Sequence, residues 1–166
     1  KDHHRYYYKY FDNAYIVSGS LDTLPIDLFD LPPSNVYDHY NEEVMHDILN
    51  KVHEDENGNY LIWLDDVVDD LKLNKTLTRA ILNRRHVCQN KKEDKTRSTL
   101  SIIDNTQKFN CFPLRYRSNL SHFAVFPTIN GKELACIKEE LLGGLTKKQQ
   151  DGLLDLCWSR PYGFLW

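Results

Sequence analysis

Apolar positions in this chain fall into short blocks whose spacing changes from one to the next. AYIVSG (14–19) is an unbroken apolar run closed by Gly19 and reads as a strand. The run SNVYDHYNEEVMHDILNKVHEDE behaves differently: Val36, Tyr37, Tyr40, Val44, Ile48 and Val52 recur at helical spacing, which predicts a first sizeable helix with Ser34 as its cap. Pro25, Pro32 and Pro33 break regular structure before it. Asn57-Gly58 then supplies a turn into a second strand run, Tyr60 to Leu64. Helical runs are predicted over about 65–72 and 76–87, and STLSII, FNCFPLRY and HFAVFPTI read as three more strands, two of them interrupted by proline. Asn130-Gly131 marks a turn, and ELACIKEELL forms a helix ended by Gly143-Gly144. Thr146, with Gln149 three residues on, has the spacing of a capping box for a last helix through LLDLCW.

These elements predict one α+β domain over 1–166: short antiparallel strands, a central helix-turn-helix-like pair and a C-terminal helical pair at 134–158. A chain of 166 residues, 41% hydrophobic and 12% aromatic, has enough apolar material for such a core. No window nears 18 apolar residues and no basic-then-apolar leader is present, so the expectation is a soluble, intracellular protein, a nuclear one included, with no membrane partner.

Charge is divided unevenly. Residues 1–70 hold 4 Lys/Arg against 16 Asp/Glu, whereas residues 71–120 hold 12 against 3, within a total of −3. A local basic surface governs attraction to phosphate more directly than the net charge does. In the predicted second helix Leu77, Ala80, Ile81 and the stem of Arg84 point inward, while Lys75, Arg79, Asn83 and His86 form the opposite stripe. Arginine bridges two guanine acceptors, asparagine reads adenine, and lysine holds phosphate. The stripe therefore assigns phosphate contacts to Lys75, Arg84, Arg85, Lys91 and Lys92 and base contacts to Arg79 and Asn83, with Lys95 and Arg97 extending the basic surface into the following loop. A second group, Arg115 and Arg117 beside Phe112, Tyr116 and Phe123, has the composition of a single-strand stacking platform. Strand core packing explains several of these aromatics equally well.

Trp63, Asp66-Val67, Leu71, Arg79-Ala80-Ile81 and His86-Val87 together resemble the amino-terminal DNA-binding domain of the Bro family of large DNA viruses and phages. The resemblance covers residues 60–87. It implies a small α/β DNA-binding domain with Arg79 and its basic neighbours near the DNA backbone.

Other chemistry is sparser. Asp65 and Asp66 are expected in a first helical turn, with Asp69 and Asp70 one turn later, as a solvated acidic face, an attachment point for a basic partner, or carboxylates converging on a divalent metal. His39, His46 and His53 recur every seven residues, too far apart for neighbouring pairs to share a metal directly. His86, Cys88, Cys111 and His122 form at most an irregular zinc set, and the four cysteines lack a CxxC pair. Glycine-rich phosphate-loop and dinucleotide patterns are absent from the sequence. The expectation is a regulatory protein that binds nucleic acid, duplex DNA foremost, without cofactor or metal. A protein-interaction or self-association domain is the alternative, and a hydrolase or nuclease with an unrecognised site stands third.

Overall fold

The computed structural model describes residues 10–24, 31–54, 58–67, 75–83 and 99–166. The chain divides into two compact units, Lys1–Gln107 and Lys108–Trp166. In the first, the apolar runs become β1 (Asn13–Ser18), β3 (Asn59–Asp65) and β4 (Thr99–Asn105), joined by a two-residue β2 (Val36–Tyr37) in one sheet of order β2-β1-β3-β4. Every pairing in this sheet is parallel.

That arrangement corrects the expected antiparallel α+β layout; the mixture of helices and strands holds, their arrangement does not. Parallel strands cannot be joined by a tight hairpin, because the chain must travel back along the sheet before it can pair again. Between β1 and β3 that return includes α1 (Glu42–Glu54), and between β3 and β4 it includes α2 (Lys75–Leu82). Such strands read as continuous apolar runs because helices cover them. Tyr15, Ile16 and Val17 of β1 and Tyr60, Ile62 and Leu64 of β3 are buried. Removing each such side chain from water contributes roughly 1.5–3 kcal/mol before ordering entropy is subtracted.

The first helix is shorter than its apolar period. Val36 and Tyr37 pair beside β1, and the helix begins at Glu42, where Asn41 Oδ1 accepts from the Val44 amide at 2.7 Å. Asn41 thus does the capping expected of Ser34. Met45, Ile48 and Val52 form the buried stripe of α1, which packs against α2. In α2, Leu77, Thr78, Ala80 and Ile81 are buried, while Lys75, Arg79 and the following Asn83 are exposed. The inward face expected of Leu77, Ala80 and Ile81 and the outward face expected of Lys75, Arg79 and Asn83 hold; Arg84 and His86, the remaining members of the two faces, lie outside the described residues.

The second unit contains α3 (Leu114–Arg117), α4 (Gly131–Leu142) and α5 (Lys147–Trp158). FNCFPLRY is not a strand: it holds a 3-10 turn at Phe109–Cys111 and then α3, with Pro113 at the helix N-cap. Of HFAVFPTI only Val125 pairs, in an antiparallel bridge to Leu165. Proline removes the backbone donor that a continued ladder needs. The last helix carries the full capping box, with the Thr146 side chain accepting from the Gln149 amide and the Gln149 side chain accepting from the Thr146 amide. No helix among the described residues is long and apolar enough to cross a membrane.

Candidate functional site at the carboxyl edge of the sheet

The strand register brings three residues level at the ends of three neighbouring strands: Ser18 of β1 opposite Asp65 of β3, and Asp65 opposite Asn105 of β4. Residues level across a sheet project to the same face. Ser18, fully buried, donates its hydroxyl to Asp65 Oδ2 at 2.9 Å, and Ser20 donates to the same oxygen at 3.4 Å. Asn105 Nδ2 donates to Asp65 Oδ1 at 3.3 Å. The Ser20 amide in turn donates to Ser18 Oγ at 3.1 Å, which turns the chain sharply after β1.

One residue on, Asp66 leaves the strand with φ 54°, a left-handed conformation uncommon for a residue carrying a Cβ. Its amide donates to the Asn105 carbonyl at 3.1 Å, and its Oδ2 accepts from Gln107 Nε2 at 3.0 Å. Asp66 is exposed and Asp65 half-buried. Among the described residues, neither carboxylate meets a lysine or an arginine.

The location has a topological cause. From β1 the chain moves to β2 on one side, then crosses to β3 on the other side of β1. Where successive connections diverge in this way, the carboxyl ends of the central strands border a crevice, the usual ligand position in open parallel sheets. Ser18, Ser20, Asp65 and Asp66 flank that point, and β4 adds Asn105 and Gln107.

Of these six residues the sequence singles out only Asp65 and Asp66, and it places them in a helical turn. Asp65 and Asp66 do not begin a helix; β3 runs through Asp65, and the left-handed Asp66 cannot be a helical residue. The clue was the uninterrupted YLIWL run, which needs a strand end rather than a helix start immediately after it. Ser18, Ser20, Asn105 and Gln107 carried no signal of their own, because only the parallel register brings them to the carboxylates.

Of the expected nucleic-acid residues, Lys75, Arg79 and Asn83 share the exposed side of α2. Arg84, Arg85, His86, Lys91, Lys92, Lys95 and Arg97 lie outside the described residues, as do Asp69 and Asp70. In the second unit Arg115 is exposed, whereas Arg117 donates to Glu140 Oε2 at 2.7 Å and also reaches Glu140 Oε1 and the Phe112 carbonyl. Phe112 and Tyr116 are buried and stacked on each other, centroids 4.6 Å apart, so they pack the core. Arg117 holds the Glu140 carboxyl below its ordinary range, and burial, followed by a hydrogen bond to Glu140, raises the Cys136 thiol. His46 and His53 are exposed on α1, and His39 precedes that helix. His86 and Cys88 of the zinc set are outside the described residues, as is the Cys111 side chain. Among the described residues no three His, Cys, Asp or Glu side chains gather as a metal cage. No family model, curated protein or solved structure matches the chain.

Proposed function

We propose that Asp65 and Asp66 hold a magnesium-type divalent cation against the phosphates of a nucleoside triphosphate, and that the chain contributes this metal-holding edge to a nucleotide-hydrolysing enzyme. The observation that carries the reading is a pair of adjacent carboxylates without a cationic partner among the described residues, at the switch point of a parallel sheet. Magnesium keeps several waters and takes one or two protein carboxylates plus substrate phosphates, so a closed cage of protein ligands is not required. A carboxylate at a strand end is how phosphate-loop hydrolases hold the ion that bridges the β- and γ-phosphates. The 166 residues contain no glycine-rich phosphate loop. In this reading, the main grip on the phosphates comes from another segment or subunit. Asp65, fixed by three donors, supplies the constant ligand, while exposed Asp66 keeps Oδ1 open to the ion or to its water.

The test is Mn2+ binding followed by electron paramagnetic resonance, with and without a non-hydrolysable nucleoside triphosphate. Ion binding in the wild type that is lost in Asp65→Asn supports the reading. Absence of binding under both conditions, or binding indifferent to Asp65→Asn and Asp66→Asn, overturns it. If the bound ion cuts a phosphodiester and leaves nucleoside triphosphates intact, the protein is a nuclease instead.

A second reading rests on a separate observation, the exposed stripe Lys75, Arg79 and Asn83 on α2. It assigns nucleic-acid contact to that stripe and is compatible with the first, since an enzyme that spends nucleotide can act on a nucleic-acid strand. Fluorescence anisotropy with duplex and single-stranded DNA, at about 50 to 200 mM salt, measures it. Binding that weakens with salt and falls in the Lys75→Ala/Arg79→Ala variant is the expected result. Absence of binding at the lowest salt rules the stripe out as a nucleic-acid contact.

A further inference from the structure

In the second unit a row of aromatic rings faces solvent. Val125 and Leu165 form an antiparallel bridge, the Val125 amide donating at 2.8 Å and the Leu165 amide at 2.9 Å, and Trp158 Nε1 donates to the Val125 carbonyl at 3.1 Å. Beside the bridged pair, Phe126 and Phe164 bring their ring centroids to 5.5 Å; Phe164 lies 6.4 Å from Trp166, and Trp166 5.4 Å from His122. Trp166 is 75% exposed, Phe126 56% and Phe164 44%, so these rings keep open faces, unlike the buried Phe112 and Tyr116. The backbone that carries them is closely seated: a Cβ at Gly163 would collide with the Cys157 carbonyl oxygen at the end of α5. A cavity of about 370 Å3, whose lining includes His122, Phe123, Val125, Leu141, Leu165 and Trp166, opens beside the row.

Charge decides between the partners that such a face could take. The chain has 24 Asp and Glu, yet residues 109–132 and 156–166, the two stretches that carry the rings, contain none. The same stretches hold Arg115, Arg117, Lys132 and Arg160. Arg117 is paired with Glu140, whereas Arg115, Lys132 and Arg160 are exposed. Arg160 stands at the turn into the ring row, where its carbonyl accepts from the Gly163 amide at 2.9 Å. An apolar protein partner would not require carboxylates to be kept away; a phosphate backbone does. Open rings beside cations are the means by which proteins hold unpaired bases, whose faces a duplex hides. We infer that this face binds single-stranded nucleic acid, with bases stacked on Trp166, Phe164 and Phe126, a base edge entering the cavity at His122, and Arg115, Lys132 and Arg160 meeting the phosphates. The inference depends on neither the carboxylates of the sheet edge nor the stripe on α2.

The experiment is fluorescence anisotropy on the full chain at about 50 mM salt, with short labelled oligomers of deoxythymidine and of uridine and an abasic oligomer of equal charge. Binding of either base-bearing oligomer about tenfold or more above the abasic one is the expected result, and the tighter of the two identifies the strand as DNA or RNA. Trp166→Leu and Phe126→Leu are each expected to weaken that binding by about tenfold with unchanged circular dichroism, while Trp166→Tyr, which keeps a stacking face, retains it. Lys75→Ala/Arg79→Ala is expected to leave it unchanged, which separates this face from α2. Equal affinity for the abasic oligomer, or no binding at this salt, overturns the inference. Loss in Lys75→Ala/Arg79→Ala with wild-type affinity in Trp166→Leu and Phe126→Leu overturns it and leaves the α2 stripe standing. Self-association in analytical ultracentrifugation that Trp166→Leu abolishes, without oligomer binding, overturns it in favour of a contact between two copies of the chain.

Discussion

Two acidic groups in this protein are treated in opposite ways. In the second unit, Glu140 is clasped at both oxygens by Arg117, and the pair is largely shielded, with side-chain exposures of 23% and 10%. In the first unit, among the described residues, Asp65 and Asp66 are held by hydroxyls and amides alone. A cation satisfies a carboxylate and cancels its charge, leaving a structural clasp. Neutral donors satisfy geometry and leave the charge in place. This difference supports assigning chemistry to the sheet edge and architecture to the Arg117–Glu140 pair.

The sharpest way to break the comparison is to exchange the effects. Asp65→Asn is expected to cost roughly a hundredfold or more in Mn2+ affinity, measured by paramagnetic resonance, with little change in fold by circular dichroism. Arg117→Met is expected to do the reverse, costing about 2 kcal/mol in urea unfolding, because Glu140 is left shielded and uncompensated, while Mn2+ affinity stays unchanged. The clasp also has a pH signature. Glu140 has a folded pKa below its ordinary value of 4.5, so its contribution is present above that value and fades as pH falls through the lowered one. The unfolding free energy of the wild type should therefore drop across that acidic window, and Arg117→Met should flatten this component.

Smaller effects sharpen the same contrast. Thr146→Ala removes a local cap from α5 and is expected to cost about 1 kcal/mol, read as a shift in urea midpoint, without touching ion binding. Asp66→Gly relieves a left-handed backbone and is expected to gain about 0.5 kcal/mol in urea unfolding while Mn2+ binding falls. A substitution that stabilises the fold and weakens Mn2+ binding would mark Asp66 as retained for its carboxylate.

Local features of the fold were legible in the sequence, and of the candidate site only its two carboxylates, without the donors around them. The Thr146–Gln149 box lies within four consecutive residues and folds as its spacing predicts. The strands β1, β3 and β4 announced themselves as apolar runs, and Leu77, Ala80 and Ile81 as the buried side of α2. Pairing direction was hidden, because an apolar run states that a strand is covered but not which neighbour covers it. The sequence pattern places Asp65 and Asp66 at a helix start for a sound local reason, the affinity of carboxylates for exposed helical amides. The register of β1 and β4 decided otherwise. Ser18 lies 47 residues from Asp65, and Asn105 lies 40, distances over which no local pattern reaches.

Those separations also set the order in which the molecule assembles. The sheet contains no hairpin: β1 gains the two-residue β2 first, must wait for β3 on its other side, and β3 must wait for β4. Closing loops of this size costs entropy before any contact repays it, and folding slows as contacting residues grow distant in sequence. In the second unit, by contrast, α4 and α5 meet across a short turn, tied by Lys138 to Asp151 at 2.5 Å and by Gln150 to the Leu142 carbonyl at 2.9 Å. On the ribosome, β3 stays without its β4 partner until residue 105 has emerged, and the set of donors around the carboxylate pair is among the last features of its unit to be completed. The helical pair, made later, can close as soon as its own residues are free.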